Sequence, residues 1–356
     1  MGCVLSAIMA VGPRADARPP RLEVQEVAAT GCMPKGASLS SDGKRFYVTN
    51  FGQDSGRNII VYDARTLAPT DRIDVPGIVV ETVLSPDGKT LYASNFKRHS
   101  VQYIDLATKS VTREIHTGMH PKILALSADG TALFAANWTG NSVTQIDVAS
   151  GSVVRTLPTG MHPRGTVVTK SGTLYVASFD GAAIDVYPNV TGRRPFDPAA
   201  HVRLPACEIP RHLALSPDES TLYISCFHDS ALHVMDLATQ RITHRIPIGN
   251  APKSIEASRD GRFVYSADYG STNSVSVVDT SDWTTRIFSV PGMDRGSGIA
   301  VMPDGEHALV TGWYDGHVYL VGFRGTGGHP ADAMGHIQAW LHRPHHDAPN
   351  GSPNSS

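Results

Sequence analysis

The stretch Gly118–Thr159 alternates short apolar runs with turn residues in a pattern that predicts four strands. Ile123–Ser127 is apolar and short, and Asp129-Gly130 marks a hairpin turn. Leu133–Asn137 is the return strand. Ser142–Asp147 follows with Val143 and Ile146 apolar, and Ser150-Gly151 turns the chain into Val153–Leu157. Four antiparallel strands in about 42 residues cannot bury both faces alone, so the unit needs neighbours of its own kind.

Those neighbours are present. Comparable units occupy Gly31–Val75, Gly77–Thr117, Cys207–Ile248 and Gly249–Val290, with further ones starting at Gly160 and near Gly292. The unit from Gly160 is interrupted after Val186 by Tyr187–Ala200, a Pro/Gly-rich excursion between its third and fourth strands. The last unit ends at its third strand, His317–Phe323, while Leu22–Ala28 alternates like a strand and has no unit of its own. The expectation is an all-β, seven-bladed β-propeller of four-stranded blades, its ring closed by that N-terminal strand. Closure removes the open sheet edge that invites aggregation.

The domain plan is a leader over 1–20, the propeller over 21–324 and a Gly/Pro/His-rich tail over 325–356. Cys3–Val11 is apolar and Ala15-Asp16-Ala17 resembles a signal-peptidase site, although no charged segment precedes it. Met1-Gly2-Cys3-Val4-Leu5-Ser6 also fits a myristoylation pattern, and a disordered leader is the third expectation. Export to a periplasmic or extracellular space is one expectation, a cytoplasmic location the other. The tail holds His329, His336, His342, His345 and His346, a composition that picks up metal adventitiously.

Charge is nearly balanced, with 31 Lys+Arg against 33 Asp+Glu, which argues against nucleic acid as a partner. No run of 18 apolar residues is present, so no transmembrane helix is expected. The four cysteines are too few for a disulfide scaffold, and none forms a CxxC pair. Cys207 and Cys226 share one unit and are open to pairing. No GxSxG, HExxH or phosphate-cradling Gly loop occurs, and the sequence leaves any cofactor unknown.

The repeated pattern G-x-x-P, S-x-D-G, YVxN and xxID resembles the YVTN β-propeller repeat family, with YVTN itself at Tyr47–Asn50. The likeness covers about residues 31–323. It implies a seven-bladed propeller and, for many members, an exported protein of unassigned role. Some lactonases have related architecture, which is analogy at the level of fold.

With the units aligned on the S-x-D-G turn, the residue at the position after the leading proline, which the second and seventh units lack, is Lys35, Val80, Lys122, Arg164, Arg211, Lys253 and Ser297. Five of the seven are basic in a chain of net charge −2, a local concentration expected to ring one mouth of the central channel. Opposite them we expect Asn50, Asn95, Asn137, Ser178, Cys226, Asp268 and Gly312, each followed by an aromatic residue. Those aromatics, Phe51, Phe96, Trp138, Phe179, Phe227, Tyr269 and Trp313, suit packing between blades or stacking on a ligand. Cations converging on an axis repel one another, and a bound anion relieves that repulsion.

Departures from the repeat add Glu81, Asp180, His212 and His228 to the candidates, alongside Asp268. Glu81, His120, His162, His212 and His228 are of the types that converge as metal ligands or acid–base pairs. The leading expectation is a monomeric propeller that holds a small anionic or aromatic ligand, or a partner segment, at the basic mouth. The alternative is a lactonase-type hydrolase or isomerase at the same mouth.

Overall fold

The computed structural model describes residues 21–54, 58–191 and 197–324; the leader, the His-rich tail and part of the blade 4 excursion lie outside them. Among the described residues the chain forms 28 strands in seven four-stranded sheets. In blades 1 to 6 the strands pair in chain order from the channel outwards. Leu22–Ala29 takes the outer position of blade 7 by pairing antiparallel with His317–Phe323, from Leu22 opposite Phe323 to Ala29 opposite His317. The two ends of the chain thereby share one sheet, and the ring is closed.

The core is not central but lies between the blades. Tyr47, Ile59 and Val61 of blade 1 pack on Val79, Leu91 and Ile104 of blade 2. On its other face blade 1 packs Phe46, Val48 and Tyr62 against Ala300, Leu309 and Leu320 of blade 7. Each sheet is thus covered twice by neighbours, which is why no single unit could stand alone.

The turn between the first two strands of most blades repeats one device. In blade 3 the Ser127 hydroxyl donates to Asp129 at 2.6 Å and accepts the Ala132 N–H at 2.9 Å. Asp129 in turn accepts the Thr131 N–H. Gly130 sits at φ 71°, a conformation that costs an L side chain strain. Blades 1, 2, 5 and 6 make the same Ser–Asp bond at Ser40, Ser85, Ser216 and Ser258. No helix among the described residues is long and apolar enough to cross a membrane.

Candidate functional site

At the opposite end, the innermost strands of blades 1, 3, 4, 5 and 6 start with the leading proline, where blades 2 and 7 have Val79 and Gly296. It is this proline, not the basic residue after it, that pairs with the end of the second strand. Pro34 faces Asn50, Pro121 Asn137, Pro163 Ser178, Pro210 Cys226 and Pro252 Asp268. The expected cross-strand partnership of the cations is therefore corrected by one residue. A register shift follows each proline, so the basic residue occupies a bulge and its side chain is released from the ladder.

The released side chains enter the aromatic row. Lys35 lies 4.8 Å from the Phe51 centroid and 5.8 Å from that of Trp313. Lys122 is 3.5 Å from Trp138 and 5.6 Å from Phe96, and Arg164 is 5.0 Å from Trp138 and 5.5 Å from Phe179. Arg211 sits 4.4 Å from Phe227, and Lys253 lies 4.3 Å from Tyr269 and 4.0 Å from Trp313. Each cation thus meets aromatics of its own and a neighbouring blade. The rings also touch one another, with Phe51 at 5.5 Å from Phe96 and 5.7 Å from Trp313. Packing and cation contact coexist on the same residues.

All five cations are 5–9% exposed, and none is within salt-bridge reach of a carboxylate among the described residues. Burial is the largest influence on each. It holds Lys35 well below the usual amine range, helped by repulsion from Arg164 and Arg211 and opposed by Glu81. Burial, then Arg164, Lys35 and Arg211, pull Lys122 down to about 4. Lys253 and Arg211 are lowered by burial and by the other cations, and burial brings Arg164 down to about 10. Blades 1, 3, 4, 5 and 6 feel one another's charge, so the row converges on a common space. Aromatic faces offset part of the desolvation cost of a cation but not all of it.

One step further along the inner strands is a cavity of about 460 Å³, lined by Glu81, His212 and Glu256 among others. Glu81 keeps some contact with the channel, yet burial raises it to about 7 against the pull of Lys35. Burial likewise raises Glu256 to about 7 and, with Arg164, lowers His212 to about 4. Each of the three also braces a neighbouring blade. Glu256 accepts the Val301 N–H at 3.1 Å, and His212 Nδ1 accepts that of Ile255 at 3.4 Å. The sequence reading picked out Glu81 and His212 but missed Glu256. That residue stands two positions beyond the aligned site of Glu81, where only the depth of the channel makes it a neighbour.

The remaining candidates are dispersed. His162 stacks on Trp138 with centroids 4.5 Å apart, and its Nδ1 is bonded to Asp180. His120 stacks on Phe96 and bonds Thr139 at 2.7 Å. His228 is exposed and pairs with Glu208 at 2.8 Å. Asp268 is fully buried, raised to about 7 by burial, and accepts three serine hydroxyls, from Ser266, Ser274 and Ser276. Glu81, His120, His162, His212 and His228 do not assemble. Among the described residues the triplets at ligand spacing are Cys207–Cys226–His233 and Glu208–His228–Asp229. The first of these is committed to a disulfide between Cys207 and Cys226.

That disulfide has a readable cause. Cys207 replaces the glycine of G-x-x-P, and Cys226 replaces the residue at the end of the second strand. In blade 3 a Cβ on the equivalent Gly118 would meet the Asn137 side chain at 2.6 Å, and on Gly160 of blade 4 the Ser178 hydroxyl at 2.7 Å. The two positions are in contact in every such blade, and in blade 5 both changed together.

The comparisons agree with this architecture. A family profile described as a YNCE-like beta-propeller matches residues 88–314, more than half of the chain. Antigen Lp49 of Leptospira interrogans serogroup Icterohaemorrhagiae is 25% identical over 118 residues, 30% of this chain and 26% of that protein. The match thus spans about a quarter of that relative's length. A chain of Kuenenia stuttgartiensis hydrazine synthase superposes with a TM-score of 0.70 at 17% identity, covering 88% of this chain and 99% of that one. At that identity the likeness is one of fold alone.

Proposed function

Because the chain belongs to the YNCE-like β-propeller family, a fold that leaves chemistry to its sites, we propose a function from the site itself: the cation row binds a small anion or a partner's anionic group. One observation carries this reading. Five buried basic side chains converge with no carboxylate within salt-bridge reach among the described residues, and a buried unpaired charge is normally either neutralised or matched. The half-buried aromatic row around them excludes water and strengthens the electrostatic attraction for an anion. The Cys207–Cys226 disulfide favours an oxidising compartment, periplasmic or extracellular. A monomer suffices, since one ring supplies every cation.

The test is calorimetric titration of the purified protein with inorganic phosphate and with cyclohexanecarboxylate. The double variant Arg164→Gln, Arg211→Gln should bind both at least about tenfold more weakly, as expected for losing charge-assisted hydrogen bonds. Its melting temperature should be unchanged or higher, because like charges have been removed. Unaltered affinity in the variant, or no binding of either anion by the parent protein, would overturn the reading.

A further inference from the structure

The cation row is asymmetric. Blades 3 to 6 contribute a continuous arc of Lys122, Arg164, Arg211 and Lys253, whereas blade 7 places Ser297 at the same position and blade 2 places Val80. Two side-chain atoms of this row are buried without a hydrogen-bond partner, Nε of Arg211 and Oγ of Ser297. Ser297 is fully buried and Arg211 is 8% exposed. Buried polar atoms are nearly always satisfied, so orphans of this kind point to a missing partner. The two orphans differ in kind: one belongs to a cation, the other is a neutral hydroxyl. A simple anion answers only the first.

The chamber beyond the row adds acceptors. Glu256 commits Oε2 to the Val301 N–H, and Glu81 accepts backbone N–H groups of Thr82 and Ala37. An ionised carboxylate offers about four lone-pair sites, so both keep acceptor capacity toward the channel. His212 uses Nδ1 as an acceptor from Ile255, which leaves Nε2 as a donor when the ring is neutral. Lys35 and Arg211 next to these groups disfavour a cationic ligand group there. Uncharged donors, that is hydroxyls, are what the chamber suits. Its volume of about 460 Å³ fits a small molecule.

We propose that the ligand is a small hydroxylated carboxylate of the sugar-acid class, its carboxylate held by the Arg164–Arg211 arc and its hydroxyls by Ser297, Glu81 and Glu256. This rests on the anion reading above and adds the requirement for hydroxyls.

The experiment compares D-glucuronate with cyclohexanecarboxylate, which has the same charge and ring size without hydroxyls, and with D-glucose, which has hydroxyls without charge. Glucuronate should bind the parent protein about tenfold or more tightly than cyclohexanecarboxylate, and glucose more weakly than either. Glu81→Gln with Glu256→Gln keeps an acceptor oxygen for the backbone bonds, and Ser297→Ala removes a hydroxyl that has no internal partner. Each should shrink the preference for glucuronate several-fold; Ser297→Ala should leave cyclohexanecarboxylate within about twofold, while loss of the two carboxylates should strengthen its binding above neutrality. Equal binding of the two carboxylates, or a preference that survives both variants, overturns the hydroxyl requirement while the anion reading stands. Failure of both carboxylates and of phosphate to bind overturns the anion reading and this inference with it.

Discussion

The two ends of each blade contrast sharply. At the far end, five blades close the first hairpin with the same Ser–Asp bond, at Ser40, Ser85, Ser127, Ser216 and Ser258. At the channel end, one backbone geometry is held by four different chemistries. Blade 1 bonds the Gly31 N–H to Asn50 at 2.9 Å, and blade 4 bonds that of Gly160 to Asp185 at 2.9 Å. Blade 6 surrounds Asp268 with serines, and blade 5 uses a disulfide. The corner therefore tolerates substitution, provided both contacting residues change together. None of these corner bonds involves the cation that follows the proline. The scaffold does not explain five cations in seven positions, whereas it fully explains five identical turns.

The largest effect should come from breaking the covalent corner. Cys207→Ser with Cys226→Ser is expected to cost about 3 kcal/mol, the loop-closure entropy for a link of this sequence separation. Cys207→Gly with Cys226→Asn restores the pair used in blades 1 to 3 and should recover part of that loss. Chemical denaturation of the three proteins decides it. If the Gly/Asn variant is no more stable than the Ser/Ser variant, the corners are not interchangeable and the comparison fails.

At the far end, Ser127→Ala removes a buried hydroxyl that both donates to Asp129 and accepts from Ala132. Loss of stability by about 2 kcal/mol is expected, with anion affinity unchanged within about twofold. An anion affinity that falls along with stability would show that the two ends are coupled rather than separate.

Much of this was legible beforehand because repetition multiplies a weak signal. One alternating segment such as Leu22–Ala29 is ambiguous alone, but a missing fourth strand in blade 7 assigns it. The cation row likewise emerged from alignment of repeats. The one-residue offset was not legible, because a bulge after the proline changes which residues face each other without changing the apolar pattern. Glu256 escaped for a related reason. Its aligned partners in the other blades are unremarkable, and it joins Glu81 only through the depth of the channel. The disulfide could have been found, since Cys207 and Cys226 stand at two motif positions that touch in every other blade with that glycine.

The smallest effect, and the one that addresses the cations directly, is the pH dependence of anion binding. Lys122 stands at about 4 in the unliganded fold because of burial, far below the usual amine value near 10.5. Between those values the unfolded chain binds more protons, so this group makes stability rise with pH across the window. Glu81 and Glu256, raised to about 7 by burial, act oppositely on stability: between 4.5 and about 7 the fold holds the extra proton, and stability falls as pH rises. On anion binding the two sets act together. An anion in the row draws protons onto Lys35, Lys122 and Lys253, while ionisation of Glu81 and Glu256 above neutrality adds opposing charge beside it. His212, brought down to about 4, is neutral over this range, and Arg164, at about 10, is charged throughout it, so neither alters the sign. Affinity for cyclohexanecarboxylate should therefore fall by three- to tenfold per pH unit between about pH 6 and 8, up to about 1.4 kcal/mol per unit for one proton taken up. Glu81→Gln with Glu256→Gln should flatten part of that slope, and Lys122→Met a further part, the rest belonging to Lys35 and Lys253. Affinity that is flat or rises over this range would mean that the lysines are already charged before the anion arrives, and that the row is held open by something other than burial.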